Sequence, residues 1–459
     1  MDSRPLSFIA GACGGQLVKG EGGASVNRVC TDSRQARTGD LFIAISGGRF
    51  DGHSFLGEVA ARGVSAVLVQ SGRAALSDLP CGVVEVEDTR VALGRIAAAY
   101  RQELKLLMVA VAGSNGKTTT KELVAAVLKT RFTTLWSEAS FNNDLGVPFT
   151  LLRIDATHTA AVLELGTNHP GELAPLVQMV DPRIGVMTSI GREHLEHFGD
   201  LAGVVAEESS LAAGLPEGGV LVLPGDSDLL EEVADRARCR VVRVGSGPNN
   251  DWVADEVSVS QEGTSFRVTR APAGFEGSYR VGLLGRHQVN NAMLAAAVGH
   301  ELGLTASEIR IGLETCAPAK SRGVLSSYRG IQVLDDSYNA NADSMRAALL
   351  TLADLPCTGR RIAVMGDMAE LGGGTAKAHQ EVGRIAGELG VGLVLGVGEY
   401  AAVTVDAAKE AGVPETSSWL SIEPAIDFLK SRVRPGDLIL IKASRSSGLE
   451  RVAEALKVP

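Results

Sequence analysis

The stretch VAVAGSNGKTTTKE, residues 109–122, constrains this chain more than any other. An apolar run, LLMVAVAG (106–113), leads straight into Gly-Ser-Asn-Gly-Lys-Thr, and a helical pattern, TTKELVAAVLKTR (119–131), follows at once. A strand covered on both faces reads as such a continuous apolar run. The helix carries Leu123, Val124, Val127 and Leu128 on one stripe, the spacing of a face packed on a sheet. Strand, Gly-rich turn and helix in this order form a phosphate cradle. The backbone N–H groups of Gly113, Ser114, Asn115, Gly116 and Lys117 are expected to point at phosphate oxygens, and the helix N-terminus adds its dipole. Lys117 supplies a mobile positive charge, and the Thr118 hydroxyl is a ligand for Mg²⁺. The usual loop, G-x-x-x-x-G-K-[ST], opens with a glycine where Val111 stands here. A glycine turn with a solvated lysine is the plain alternative, and Gly-Lys-Thr-Thr at a strand–helix junction weighs against it.

Strands and helices alternate along most of the chain. Further strands are expected at TAAVLELG (159–166), RIGVMTSIG (183–191) and GGVLVLPGD (218–226), giving a parallel sheet with crossover helices. Upstream, GDLFIAISG (39–47) and VSAVLVQ (64–70) read as strands around a helix at 54–63, and residues 89–104 as a helix. Downstream, residues 330–340, 359–368, 391–398 and 436–445 read as strands of a second α/β unit. It is Rossmann-like but has no G-x-G-x-x-G after its first strand. A length of 459 residues suits about three domains of ~150 residues each. The expected fold class is α/β in three domains: a small N-terminal α/β domain (1–85), a central parallel-sheet phosphate-loop domain (86–318) and a C-terminal Rossmann-like α/β domain (319–459).

Net charge is −10, which argues against a nucleic-acid or anionic-membrane binder. No apolar run reaches the roughly 18–20 residues of a membrane helix, and no basic n-region opens the chain. A cytoplasmic protein without membrane insertion is expected. The six cysteines form no C-x-x-C pair and read as reduced packing residues.

Other candidate residues gather at strand ends, where parallel sheets collect ligands. Glu164 ends one strand, placed to hold Mg²⁺. His194 and His197 follow another in SIGREHLEHFGD (189–200), with His194 expected at a metal. In the helix at 201–215, Glu208 lies on the stripe of Leu201, Val204, Val205, Leu211 and Ala212 and points inward. An unpaired buried carboxylate is costly unless a cation meets it. Glu207 is expected to face outward as a solvated charge. In GRHQVNNAMLAAAVGH (285–300), Asn291 and His287 suit an adenine or ribose edge, although Asn in a first turn often merely caps a helix. DDSYNANADSM (335–345), GDMAELG (366–372) and KASRSS (442–447) each follow a strand and describe a single site.

This set resembles the Mur ligase family. The resemblance rests on GSNGKTTTKE, NNDLGVPFTLL (142–152), LELGTNHPGE, GRHQVNNAMLAAA, DDSYNANADSM, GDMAELG and KASRS, with TDSRQARTGDLFIAISGGRFDGHSF (31–55) near the N-terminus. It spans nearly the whole chain. It implies an ATP-dependent amide ligase of peptidoglycan precursor synthesis, monomeric, using ATP and two Mg²⁺ ions. The implied substrates are the small molecules UDP-N-acetylmuramoyl-tripeptide and D-Ala-D-Ala. A terminal carboxylate would attack the γ-phosphate, giving an acyl phosphate and ADP, and the dipeptide amine would then displace phosphate. By the same implication Ser33, Arg34 and the GGRFDGH loop lie near the UDP-sugar, and ATP lies on Gly113–Thr119. Thr118 and Glu164 hold one metal and His194 a second. Asn291 meets adenine. Arg322, Asp336, Tyr338, Asn339 and Asn341 close over the nucleotide, with Asn142 and Asn143 on the substrate side. Lys442, Ser444 and Arg445 belong to the dipeptide side. Lys117, Glu164, His194 and Glu208 form the expected catalytic set. The alternatives are another Mur-type ligase, a folylpolyglutamate-synthase-like enzyme, or a non-catalytic nucleotide-binding paralogue.

Three positions depart from the family pattern. Glu208 stands where members carry a lysine carbamylated by CO₂. A carbamate ends in an anionic oxygen pair, as Glu does, so Glu208 is expected to take over the metal-holding role. Gln288 stands where Asn is usual beside the adenine, and Ala342 replaces a common Pro.

Overall fold

In a computed structural model of the protein, which describes residues 1–48, 50–73 and 79–457, three large sheets follow one another along the chain, beside a small antiparallel pair, Arg4–Pro5 with Ser25–Val26. The first has five strands in the order Gln16–Lys19, Gly82–Val86, Ala66–Gln70, Asp40–Ile43, Arg28–Cys30, all parallel except the first. Helix Thr89–Gln102 leaves this sheet, started by Asp88, whose carboxylate accepts from the amides of Arg90 and Val91. Its buried face, with Leu93, Ile96, Ala97 and Tyr100, belongs to the core shared with helix Leu6–Cys13 and the central sheet.

The central sheet has nine strands. From one edge they run Gly277–Val281, Gly263–Arg270, Trp252–Ser260, Arg240–Gly245, Val220–Pro224, Ile184–Met187, Leu107–Ala112, Ala160–Glu164, Thr134–Trp136. The seventh strand, Leu107–Ala112, is buried on both faces and pairs in parallel with both neighbours. Val111 lies level with Glu164 on one side and Val186 on the other. The sheet is mixed, which corrects the purely parallel expectation: Gly263–Arg270 and Gly277–Val281 join antiparallel. No strand was expected over residues 240–281. Over the antiparallel edge the burial alternates, as in Gly263–Arg270, because one face meets solvent; in the inner, parallel strand Arg240–Gly245 two arginines interrupt the apolar run. The apolar run that marks the inner strands is therefore missing.

The third sheet orders Val324–Tyr328, Ile331–Asp335, Leu438–Lys442, Arg361–Gly366, Leu393–Val397, Glu415–Trp419, parallel but for the first strand. Its helices cover both faces, with separate apolar clusters on each side. Helix Ala342–Asp354 starts in a capping box, Asn341 with Ser344, which points its N-terminus at the central sheet's phosphate loop. Among the described residues no helix is long and apolar enough to cross a membrane.

Candidate functional site

The glycine missing from the loop is not a loop position. Val111 is fully buried inside the strand, and the turn begins at Gly113. Gly113 and Gly116 have φ of 114° and 86°, the left-handed region that glycine enters without steric cost. A Cβ on Gly113 would lie 2.6 Å from Thr188 Oγ1, and one on Gly116 would lie 2.8 Å from Asn291 Oδ1. The helix starts at Lys117 with no side-chain cap, so its first amides are free for an anion. Two of the expected donors are not. Ser114 N–H donates to the Ser189 carbonyl at 2.8 Å and Asn115 N–H to Ser189 Oγ at 2.9 Å. These bonds brace the loop on the neighbouring strand end, so phosphate recognition falls to the amides from Gly116 onward.

Lys117 folds back over the loop. Its ammonium donates to the carbonyls of Gly113 and Ser114 and lies 3.3 Å from Glu193 Oε2. Burial alone would lower its pKa, but Glu193, Glu208 and Glu164 outweigh that and raise it. Lys117 stays a cation.

Three carboxylates line this side. Glu164 is 1% exposed. Its Oε1 accepts from Asn142 Nδ2 at 2.9 Å, and its Oε2 has no hydrogen-bond partner. Glu208, also 1% exposed, has neither oxygen hydrogen-bonded. Burial first, and then the Glu193 charge, push its carboxyl well above the usual range. The inward stripe position of Glu208 is as expected. Glu207 corrects the expectation that it faces solvent. It is 7% exposed and accepts from Thr167 Oγ1, Gly171 N–H and Leu173 N–H, at 3.1, 2.7 and 2.8 Å. It sits at the start of helix Leu173–Val180, a position where a carboxylate is favourable. Among the described residues no three His, Cys, Asp or Glu side chains converge to hold a metal by themselves. A cation would need the Thr118 hydroxyl and phosphate oxygens as well, the hard-oxygen set that Mg²⁺ prefers.

His194 adopts φ 47°, a strained setting for a residue with a side chain. Its Nδ1 pairs with the Glu370 carboxylate of the GDMAELG loop. Beside it, Arg192 reaches the third sheet's helices. Its guanidinium meets Asp343 Oδ1 at 2.8 Å and Glu381 Oε2 at 2.7 Å, and its N–H donates to Asp343 Oδ2 at 3.0 Å.

The third sheet brings its own residues to the loop. Asn341 Nδ2 donates to Asn115 Oδ1 at 3.0 Å. The guanidinium groups of Arg322 and Arg445 lie 4.1 and 4.9 Å from the centroid of the Tyr338 ring, cation–π contacts that orient both arginines. Lys442 and Ser444 are buried and engaged within the sheet. Lys442 Nζ donates to Asp336 Oδ2 at 2.6 Å and to the Asn339 carbonyl at 3.0 Å, and Ser444 Oγ ties Ala340 to Ala369.

Asn291 lies against the loop: its Oδ1 accepts from Thr120 Oγ1 and its Nδ2 donates to Gln288. Asn143 Oδ1 accepts from the amides of Leu145 and Gly146, starting the next helix. Ser33 and Arg34 lie in a 3-10 turn, Ser33–Gln35, that follows strand Arg28–Cys30 of the first sheet, where Arg34 forks onto Asp32. Arg49 of the GGRFDGH loop lies outside the described residues. Sequence reasoning passed over Lys121, Ser140, Arg192 and Glu193. A signal for Lys121 was available: it stands three and seven residues before Val124 and Leu128, a charge on the buried stripe like Glu208. It is fully buried, and its Nζ donates to the carbonyls of Ser137 and Ala139 and lies 2.7 Å from Glu122 Oε1 and 3.9 Å from Glu164 Oε2.

Comparison with known proteins gives a consistent result. The Mur ligase family, catalytic domain, matches residues 25–101; the Mur ligase middle domain matches 111–299; and the Mur ligase, glutamate ligase domain, matches 323–445. The chain is 37% identical to the UDP-N-acetylmuramoyl-tripeptide–D-alanyl-D-alanine ligase of Escherichia coli (strain K12), covering 100% of this chain and 99% of that one. It is 34% identical to the Bacillus subtilis (strain 168) enzyme of the same name, covering 94% and 93%. A crystal structure of MurF from Acinetobacter baumannii superposes with a TM-score of 0.91 at 30% identity over 100% of both chains. MurF ligase from Thermotoga maritima, in complex with ADP, superposes with a TM-score of 0.81 at 26% identity, covering 94% and 97%.

Proposed function

The chain belongs to the Mur ligase family, and from that premise we propose that it joins D-Ala-D-Ala to the terminal carboxylate of UDP-N-acetylmuramoyl-tripeptide, at the expense of ATP. The products are UDP-N-acetylmuramoyl-pentapeptide, ADP and phosphate, made in the cytoplasm for peptidoglycan. The observation that carries this reading is the convergence at one place of a phosphate loop, two buried carboxylates with orphaned oxygens and the Arg322–Tyr338–Asn341 group of the C-terminal domain.

The reaction brings two anions together, the tripeptide carboxylate and the γ-phosphate, and fixed positive groups lower that barrier. Lys117 turns from Glu193 and the loop carbonyls to the phosphates. The free amides at the start of its helix hold the phosphate oxygens. The arginines on Tyr338 face the same charge from the third sheet. Thr118, Glu164, His194 and Glu208 are the residues that would hold Mg²⁺. Their fit rests on the orphaned oxygens of Glu164 and Glu208, and the bound ion neutralises the approaching charges. Once an acyl phosphate forms, water must be kept from it. The Arg192 ion pairs and the Asn115–Asn341 bond hold the third sheet over the loop for that purpose.

Phosphate release with ATP, UDP-N-acetylmuramoyl-tripeptide and D-Ala-D-Ala tests the proposal. Release must require all three. Release that ignores the dipeptide, or that prefers D-Glu or a diamino acid in its place, would overturn it.

A further inference from the structure

Ser140 joins the two halves of this site. Its Oγ lies 3.4 Å from Thr118 Oγ1, 2.9 Å from Tyr338 Oη and 3.2 Å from Arg322 Nη2. Thr118 belongs to the phosphate loop, and Tyr338 and Arg322 to the segment that leads into the third sheet and its first helix.

The chain holds this hydroxyl firmly. The preceding residue, Ala139, sits at φ 45°, a left-handed conformation that costs a residue with a side chain about 1–2 kcal/mol. Its carbonyl is held at 2.9 Å by the fully buried Lys121, which also takes the Ser137 carbonyl at 2.8 Å. Ser137 is tied in turn to the strand of Glu164: its N–H donates to the Val162 carbonyl, and its Oγ accepts from Glu164 N–H. A buried cation and a strained alanine thus serve to set one hydroxyl at the junction.

We propose that Ser140 is a positioning residue that couples occupancy of the phosphate loop to docking of the third-sheet domain through Tyr338 and Arg322. The proposal rests on the ligase reading above for its kinetic consequences. Hydrogen-bond capacity gives the coupling a direction. The Tyr338 hydroxyl and the Arg322 guanidinium both donate to Ser140 Oγ. The Ser140 proton is then left for Thr118 Oγ1. A ligand that draws on the other lone pair of the Thr118 oxygen and turns that hydroxyl's own proton away fixes this direction. A serine hydroxyl has one donor and two acceptor sites, and this arrangement fills all three. Tyr338, thus fixed, orients the guanidinium stacked on it.

The test uses the full chain as parent, Ser140→Ala, Tyr338→Phe, the double variant and Ser140→Thr. One readout is amide hydrogen exchange over residues 321–341 with and without Mg-ADP; the other is steady-state turnover. In the parent, Mg-ADP slows exchange in that segment. Ser140→Ala loses the slowing and Ser140→Thr, which keeps the hydroxyl, retains it. The kcat of Ser140→Ala falls roughly tenfold to a hundredfold, as for a misplaced positioning group. The Kd for Mg-ADP rises in Ser140→Ala, because a coupling between occupancy and docking is reciprocal. The double variant is no worse than the poorer single one. Slowing that persists in Ser140→Ala, no slowing in the parent, or losses that add in the double variant would each overturn the coupling. A parent that shows the slowing yet releases no phosphate with the dipeptide supports the coupling and overturns the ligase reading instead.

Discussion

Lys117 and Glu193 form a pair inside the site, ammonium to carboxylate at 3.3 Å, with both side chains largely buried. The lysine is thereby kept charged and turned toward its own loop. Phosphoryl transfer needs that charge on the phosphates. Lys117→Ala is expected to lower kcat by about 10²–10³-fold, the range for removing one stabilising donor from an active site. ADP formation at saturating substrates measures it, and unchanged turnover would exclude Lys117 from the chemistry.

Glu208 would hold a metal through its carboxylate. Glu208→Ala is expected to raise the Mg²⁺ concentration for half-maximal turnover by roughly 10–100-fold, as losses around metal ligands do. Titration of activity with Mg²⁺, with and without bicarbonate, checks it. Full Mg²⁺-dependent turnover in the variant would refute the role, and a bicarbonate requirement in the parent would refute the replacement of a carbamate.

Arg192 clamps two helices of the third sheet through Asp343 and Glu381, with side chains a quarter to two-fifths exposed. Pairs at that exposure contribute about 1 kcal/mol or less each, so Arg192→Ala is expected to unfold near the parent's temperature. Its kcat/KM is expected to fall about tenfold through looser domain docking. Arg192→Lys recovers little, because an ammonium cannot fork onto two carboxylates. Thermal melts and kinetics on the same preparations decide it.

Lys121, itself fully buried, answers two carbonyls and lies near two carboxylates. Breaking one side of such an arrangement costs about 3–5 kcal/mol. Lys121→Met is expected to lose stability of that order in urea unfolding. A loss under about 1 kcal/mol would mean that the loop does not depend on this cation.

His379 gives an acid limb to stability. It is 1% exposed; its Nδ1 bonds the Thr375 carbonyl and its Nε2 accepts from Met368 N–H, so the ring is neutral. Burial holds its pKa below the ordinary 6.5. As pH falls below that value the unfolded chain takes up a proton that the folded one refuses. Stability therefore drops until the lowered folded value is reached. Thermal melts from neutral to acid pH should show this limb in the parent and a flatter one in His379→Gln.

The phosphate loop was legible because hydrophobic periodicity changes from strand to helix across Gly113–Gly116. Glu208 was legible because it interrupts an apolar stripe. Glu207 was misread because a single helix's stripe does not show that the start of Leu173–Val180 covers its neighbouring face. The antiparallel strands over 252–281 were missed because alternation with solvent hides them from a search for buried runs, and Arg240–Gly245 because Arg240 and Arg243 break its apolar run. Ser140 and Arg192 could not be found locally, since Tyr338, Arg322, Asp343 and Glu381 lie far along the chain.

The three hydrogen bonds on Glu207 have a consequence for how this site tolerates change. Successive residues on a helix point about 100° apart, so a single insertion or deletion between residues 199 and 206 would carry Glu208 out of the site. The same slip would pull Glu207 off Thr167, Gly171 and Leu173. Glu207 thus works as an indexing pin: the helix can seat in only one rotational setting, and that setting delivers its neighbour's carboxylate to the phosphate loop.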